Sequence, residues 1–273
     1  MKNLMIRSVS GIVFVSLSLG CLLAGPWTYA LYMLVLLVTG LIEFYRLGRE
    51  SDILPFSPAC ITAGVVLFVL SLLVAAEYVQ ATGFLMLVPF VLLIPVTELY
   101  RKKKHPLGNI ATGLIGLLYV ALPLSMTAFL VFRHGEAYSP RLLIVLLGLI
   151  WLYDSGAYLF GVSLGKHRLF ERISPRKSWE GTLGGALVAV GGAGLLARFI
   201  PLLSPAGWMI LAIPVVVSAT LGDLTESLMK RQFGKKDSGQ LIPGHGGLLD
   251  RFDSFLFAVP VYFLLLELIG GKI

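Results

Sequence analysis

The chain has 273 residues, 57% of them hydrophobic and 14% charged, with a mean hydropathy of +0.87. Soluble domains average about 25% charged and about 45–50% apolar residues, so a soluble globular fold is excluded. The net charge of +7 does not argue for a nucleic-acid partner. Its basic residues sit between apolar blocks, where membrane topology and anionic phosphates account for them.

Nine apolar segments follow one another, at about 8–25, 27–45, 58–76, 83–100, 109–132, 141–161, 181–200, 208–229 and 254–271. A helix needs roughly 20 residues to cross a hydrocarbon core of about 30 Å, and in lipid it satisfies its own backbone. The expected fold is an all-α integral membrane protein with about nine transmembrane helices, one polytopic membrane domain over residues 1–273. The first segment opens with Met1, Lys2 and Arg7 before turning apolar, as a signal peptide does. A second span beginning near Trp27 favours a retained first helix. Cys21 and Cys60 lie in or beside apolar spans without metal-ligand spacing and read as packed thiols. Glu43 and Glu98, near span ends beside Arg46 and Arg101, read as interfacial ion pairs. The stretch GTLGGALVAVGGAG, Gly181 to Gly194, has small residues spaced for close helix packing.

Charge orients the spans. With the N-terminus cytoplasmic, the cytoplasmic side receives Lys2 and Arg7, Arg46 and Arg49, and Arg101 to Lys104. It also receives Lys166, Arg168, Arg172, Arg176 and Lys177, then Lys230, Arg231, Lys235, Lys236 and Arg251. Only Arg133, Arg141, Arg198 and Lys272 fall on the other side. That asymmetry is a positive-inside signal, with nine spans leaving the C-terminus outside. The two long polar connections, 162–180 and 230–253, are then both cytoplasmic, and long ordered loops on a scaffold often carry function.

Three carboxylates stand inside or beside spans, where ionisable groups usually face a cavity or the bundle interior: Asp154, Asp223 and Asp250. Glu226 follows Asp223 by three residues and Lys230 follows Glu226 by four, placing all three on one helical face. Asp253 follows Asp250 by three and reads equally as a helix cap. Hard oxygen ligands beside a basic loop suit a Mg²⁺ ion that also binds phosphates. Lys230, Arg231, Lys235, Lys236 and Arg251 can neutralise a polyphosphate, and Gly244, Gly246 and Gly247 let backbone amides approach its oxygens. His245 reads as a phosphate donor, a general acid or base, or a structural loop residue. No Walker A motif occurs.

From Ser227 to Asp253 the sequence SLMKRQFGKKDSGQLIPGHGGLLDRFD resembles the signature of the phosphatidate cytidylyltransferase (CDP-diacylglycerol synthase) family. The matched positions include Ser227, Lys230, Arg231, Lys236, Asp237, His245, Gly246, Gly247, Asp250, Arg251 and Asp253. The block from Asp154 to Gly181 is similar to a second family block, with Ser178 where a threonine is more usual. The first 140 residues carry only a generic hydrophobic likeness.

The resemblance implies a Mg²⁺-dependent nucleotidyltransferase that joins CTP to phosphatidate, releasing pyrophosphate and forming CDP-diacylglycerol for phospholipid biosynthesis. It implies one or two divalent ions, with a monovalent cation such as K⁺ as a further candidate. It also implies a homodimer in a bacterial-type inner (plasma) membrane, with a polar pocket open to the cytoplasm and no nucleic-acid partner. Residues 1–140 are then scaffold or dimer region, and 141–273 are catalytic helices. Carried onto this sequence, the catalytic candidates are Asp223, Asp250, Lys230, Arg231 and Asp253. The metal candidates are Asp223 and Asp250, followed by Glu226, Asp253 and Asp154. The substrate-binding candidates are Lys177, Ser178, Lys236, Asp237, His245, Gly246, Gly247 and Arg251. Two rivals stay open within lipid enzymology, a polyprenol kinase and a cytidylyltransferase for an ether lipid. Outside it stands a transporter using Asp154 and Asp223 for a coupling ion, a reading that inverted repeats would support and that finds none.

Overall fold

Apolar runs of this length can satisfy their backbone N–H and C=O groups in lipid only by closing into helices. The structure, a computed structural model, describes residues 2–48, 52–133, 137–196, 198–235, 237–239 and 246–270. Every one of the nine apolar segments is helical. They are α1 (Lys2–Leu23), α2 (Pro26–Leu47), α3 (Ser57–Ala75), and a 3₁₀ turn (Ala81–Leu87) running into α4 (Val88–Arg101). The next run is α5 (Pro106–Gly116), one π turn (Leu117–Ala121) and α6 (Leu122–Val131). After it come α7 (Arg141–Leu164), α8 (Trp179–Leu196), α9 (Pro205–Gln232) and α10 (Leu249–Gly270). The chain is an all-α integral membrane protein. Seven segments among the described residues are long and apolar enough to cross a membrane, and α1 and α8 are the two not among them.

The connection between α7 and α8 differs from a plain loop. It holds a short antiparallel hairpin, β1 (Arg168–Phe170) and β2 (Ser174–Ser178), with Arg168 opposite Ser178. At the other end, α10 begins at Leu249, five residues before the apolar run, so Asp253 lies inside the helix and is not its cap.

The chain divides into two compact units, Met1–Pro140 with Gln232–Phe252, and Arg141–Arg231 with Asp253–Ile273. In the first, Leu37, Leu41, Ala63, Val120 and Ala128 are buried between helices. Polar groups there are tied internally, as lipid demands. The Tyr29 and Thr127 hydroxyls share a hydrogen bond of 2.7 Å, and Tyr45 donates to the Gly113 carbonyl at 3.0 Å. Glu98 pairs with Arg101, as the sequence suggests, and also accepts from Asn109 at 3.0 Å. Arg101 in turn donates to the Leu54 carbonyl at 2.7 Å.

The second unit is built on glycines at helix crossings. A Cβ added at Gly185 of α8 would lie 2.6 Å from the Tyr153 carbonyl oxygen and 2.8 Å from the Ala157 nitrogen, both backbone atoms of α7. The small residues of α8 therefore serve close packing, as expected. Tyr153 of α7 hydrogen-bonds Thr220 of α9 at 2.6 Å. At Gly222 of α9 an added Cβ would lie 2.6 Å from the Asp253 carbonyl oxygen of α10.

Replacing Gly185 by Ala should destabilise the detergent-solubilised protein by about 1–3 kcal/mol, because backbone cannot move aside as a flexible side chain can. Gly191→Ala, on the same helix with nothing within 4 Å of its added Cβ, should leave the melting temperature unchanged or slightly raised. Equal melting temperatures for the two variants would contradict this packing.

Candidate functional site

The site in the second unit starts from the β1–β2 hairpin, which is fastened at its base. Glu180, at the junction between hairpin and helix, accepts from the Lys166 N–H at 3.1 Å, from the His167 N–H at 3.2 Å, and meets the His167 ring at 2.6 Å. Its own backbone N–H and the His167 ring hold its carboxyl down to about 2, well below the usual carboxylate range. A depressed carboxylate contributes its stability above the usual pKa and loses it only as pH falls through the lowered value. The clasp is therefore intact at neutral and mildly acidic pH. Ser178 closes β2 and is buried. Its hydroxyl accepts from the Gly181 N–H at 3.2 Å, capping the first turn of α8.

This arrangement sets Lys177 on a cavity of about 230 Å³, lined among others by Asp154, Tyr158, Arg176, Lys177, Thr182 and Asp223. The Lys177 ammonium lies 2.5 Å from the Asp223 carboxylate, both side chains partly exposed to the cavity. The Ser227 hydroxyl donates to Asp223 at 3.3 Å from one turn further along α9. Asp154 is exposed. Asp253 feels the charges of Asp223, Asp154 and Lys177 and accepts from the Ser254 N–H at 2.6 Å. Three of the predicted acids, Asp154, Asp223 and Asp253, thus share one electrostatic neighbourhood with a single lysine. Among the described residues no three His, Cys, Asp or Glu side chains converge as a ready-made metal cage.

Further along α9, Glu226 and Lys230 form a buried ion pair of 2.5 Å, one helical turn apart. The i, i+4 spacing read from sequence is realised here. Arg231 is exposed at the helix end.

The rest of the signature belongs to the first unit. Asp250, in the first turn of α10, accepts from the Gly247 N–H at 2.7 Å, the Ser238 N–H at 2.9 Å and the Ser238 hydroxyl at 3.0 Å. Gly246 has φ +84, and a Cβ there would lie 2.5 Å from the Asp250 carboxylate. Only glycine serves that turn without strain. Gly247 is buried, while Asp237 and Arg251 are exposed. Lys236 and His245 lie outside the described residues.

Glu43, which the sequence reads as an interfacial ion pair with Arg46, has a different role. It does not take the expected partner among the described contacts but accepts from the Leu249 N–H at 3.0 Å and the Ser238 hydroxyl at 3.3 Å. Its one sequence signal was a carboxylate inside an apolar span. Sequence reasoning missed Glu180, although it stands two residues after Ser178.

A family model described as the cytidylyltransferase family matches residues 5–269 of the chain. The chain belongs to the cytidylyltransferase family. A phosphatidate cytidylyltransferase of Staphylococcus epidermidis is 32% identical over 96% of this chain and 98% of that protein. One from Synechocystis is 34% identical over 96% of this chain and 97% of its own length, and one from Staphylococcus aureus is 30% identical over 96% and 98%. The family match takes in both the α7–α8 hairpin and the segment from α9 to α10, so every candidate from Asp154 to Asp253 falls within it.

If Glu180 clasps the hairpin of this cytidylyltransferase-family chain, Glu180→Ala should speed trypsin cleavage after Arg172 or Arg176 by about tenfold, through local opening. An unchanged cleavage rate would contradict the clasp.

Proposed function

We propose that the chain transfers the cytidylyl group of CTP to phosphatidate, giving CDP-diacylglycerol and pyrophosphate. The observation that carries this reading is the Lys177–Asp223 pair opening on a cavity within a membrane-embedded bundle. The names of the relatives, all phosphatidate cytidylyltransferases at 30–34% identity, support the substrates.

The reaction asks for positioning and charge more than for covalent chemistry. A phosphatidate phosphate oxygen attacks the α-phosphorus of CTP, the bond to the β-phosphate breaks, and pyrophosphate leaves with that electron pair. The attacking oxygen is already ionised at neutral pH, so no protein base is required. Lys177, fixed by the clasped hairpin, binds phosphate oxygens and offsets charge as it builds on them. Arg176, beside it on β2 and also facing the cavity, adds a second cation. Asp223 orients the Lys177 ammonium until substrate phosphates share it.

Asp223, with Asp154 and Asp253 near it, fits a divalent cation such as Mg²⁺. The donors are hard carboxylate oxygens, Asp154 and Asp223 line the cavity together, and Mg²⁺ needs only one or two carboxylates alongside water and substrate phosphates. When bound, such an ion neutralises phosphate charge that the lysine alone leaves uncompensated. Asp250, and the substrate roles of Asp237, Gly246, Gly247 and Arg251, rest on the signature shared with the family. Lys230 is held by Glu226, so its part is to keep the end of α9 in place, with phosphate contact secondary.

The reading includes a cytoplasmic N-terminus, an active site on the cytoplasmic side where CTP is available, and a homodimer. The charge asymmetry of the connections supports the first two. The resemblance supports the third.

The test is incubation of purified protein with labelled CTP, Mg²⁺ and phosphatidate. A lipid-extractable nucleotide is expected, and none with any phospholipid acceptor would refute the proposal. Asp223→Asn should insert and fold yet lose about 10²-fold or more in turnover, the scale of one transition-state contact. Full activity in that variant would remove Asp223 from the site.

A further inference from the structure

The mechanism above makes no use of Glu43, a carboxylate only 7% exposed within α2. Desolvating such a group is costly unless donors reach it. Its donors come from a single distant segment, the Leu249 N–H and the Ser238 hydroxyl, 206 and 195 residues away in sequence. Leu249 is the first residue of α10, and an N–H in the first turn has no acceptor within its own helix. Glu43 supplies that acceptor, and its negative charge suits a helix N-terminus. The fit is close on both oxygens. A Cβ at Gly239 would lie 2.7 Å from Oε1, and one at Gly247 would lie 2.6 Å from Oε2.

The same segment holds Asp250. The Ser238 and Gly247 N–H groups donate to Asp250, and the Ser238 hydroxyl, with one proton to give, lies within hydrogen-bond distance of both Asp250 at 3.0 Å and Glu43 at 3.3 Å. Wherever Glu43 sets Ser238 and Leu249, the Asp250 carboxylate follows. We infer that Glu43 is a positioning residue of the signature segment, fixing the N-terminus of α10 and thereby the orientation of Asp250 and Arg251. In its catalytic consequence this rests on the proposed cytidylyl transfer; in its structural part it stands alone.

Two readouts on the full-length purified protein test it, with Glu43→Ala and Glu43→Gln beside wild type. Glu43→Ala should lower kcat by about tenfold to a hundredfold, the cost of a misplaced group, with KM for CTP changed less than about threefold. Glu43→Gln keeps an oxygen that accepts the Leu249 N–H and should stay within about threefold of wild-type kcat. Hydrogen exchange supplies the readout that a general packing role would not reproduce. In Glu43→Ala the amides of Gly247 and Leu249 should exchange about tenfold faster, while those of α3 and α6 stay near wild type.

A Glu43→Ala variant with near-wild-type kcat would overturn the inference. So would a Glu43→Gln variant as impaired as Glu43→Ala, or faster exchange spread equally through α3 and α6. If wild type itself makes no CDP-diacylglycerol, the proposed function fails, and the exchange result alone decides whether Glu43 pins the segment.

Discussion

A carboxylate inside an apolar helical bundle must find its donors within the protein, because lipid offers none. That constraint organises this chain. Glu98 is met by Arg101 and Asn109, Glu226 by Lys230, Asp250 by Ser238 and Gly247, and Glu43 by Leu249 and Ser238. Glu226 is held within its own helix, while Glu98, Asp250 and Glu43 are held by groups that tie one piece of backbone to another. Removing one partner of such a buried charged pair costs about 3–5 kcal/mol, much of it from the charge left behind. They hold the scaffold in register.

The pair of Lys177 and Asp223 is different in kind. Both side chains remain partly exposed, and both face a cavity large enough for a small polar group. Asp154 lines the same cavity, and Asp253 feels the charges of Asp223, Asp154 and Lys177. If that site takes a divalent cation, as proposed, phosphate oxygens would share it. The scaffold around it is rigid where it matters. The hairpin is clasped at Glu180, α8 approaches α7 through glycines, and Tyr153 ties α7 to α9. Such support lets fixed charges act without reorganising during the reaction.

The helices were legible because each is an apolar run near bilayer length, a signal contained in every local window. The Glu226–Lys230 pair was legible because helical spacing alone brings i and i+4 together. The start of α10 was set five residues late, since Leu249 to Asp253 carries three charged side chains and reads as loop. The hairpin left no pattern to read, for strands of three and five residues, the longer one without a large apolar side chain, are too short to show an apolar alternation. The role of Glu43 could not be read at all, because its partners lie about two hundred positions away and are a backbone amide and a hydroxyl. Sequence therefore named the residues of the signature, while the hydrogen bonds that hold each of them came only from the fold.

If the cavity receives the nucleotide, its affinity for CTP depends on the lysine that the hairpin delivers. The decisive measurement is equilibrium binding of CTP, with Mg²⁺, to the purified protein and to Lys177→Ala. Binding should be weaker by about tenfold or more in the variant, the loss expected for a charged contact to phosphate. An unchanged Kd would contradict it and move the nucleotide elsewhere.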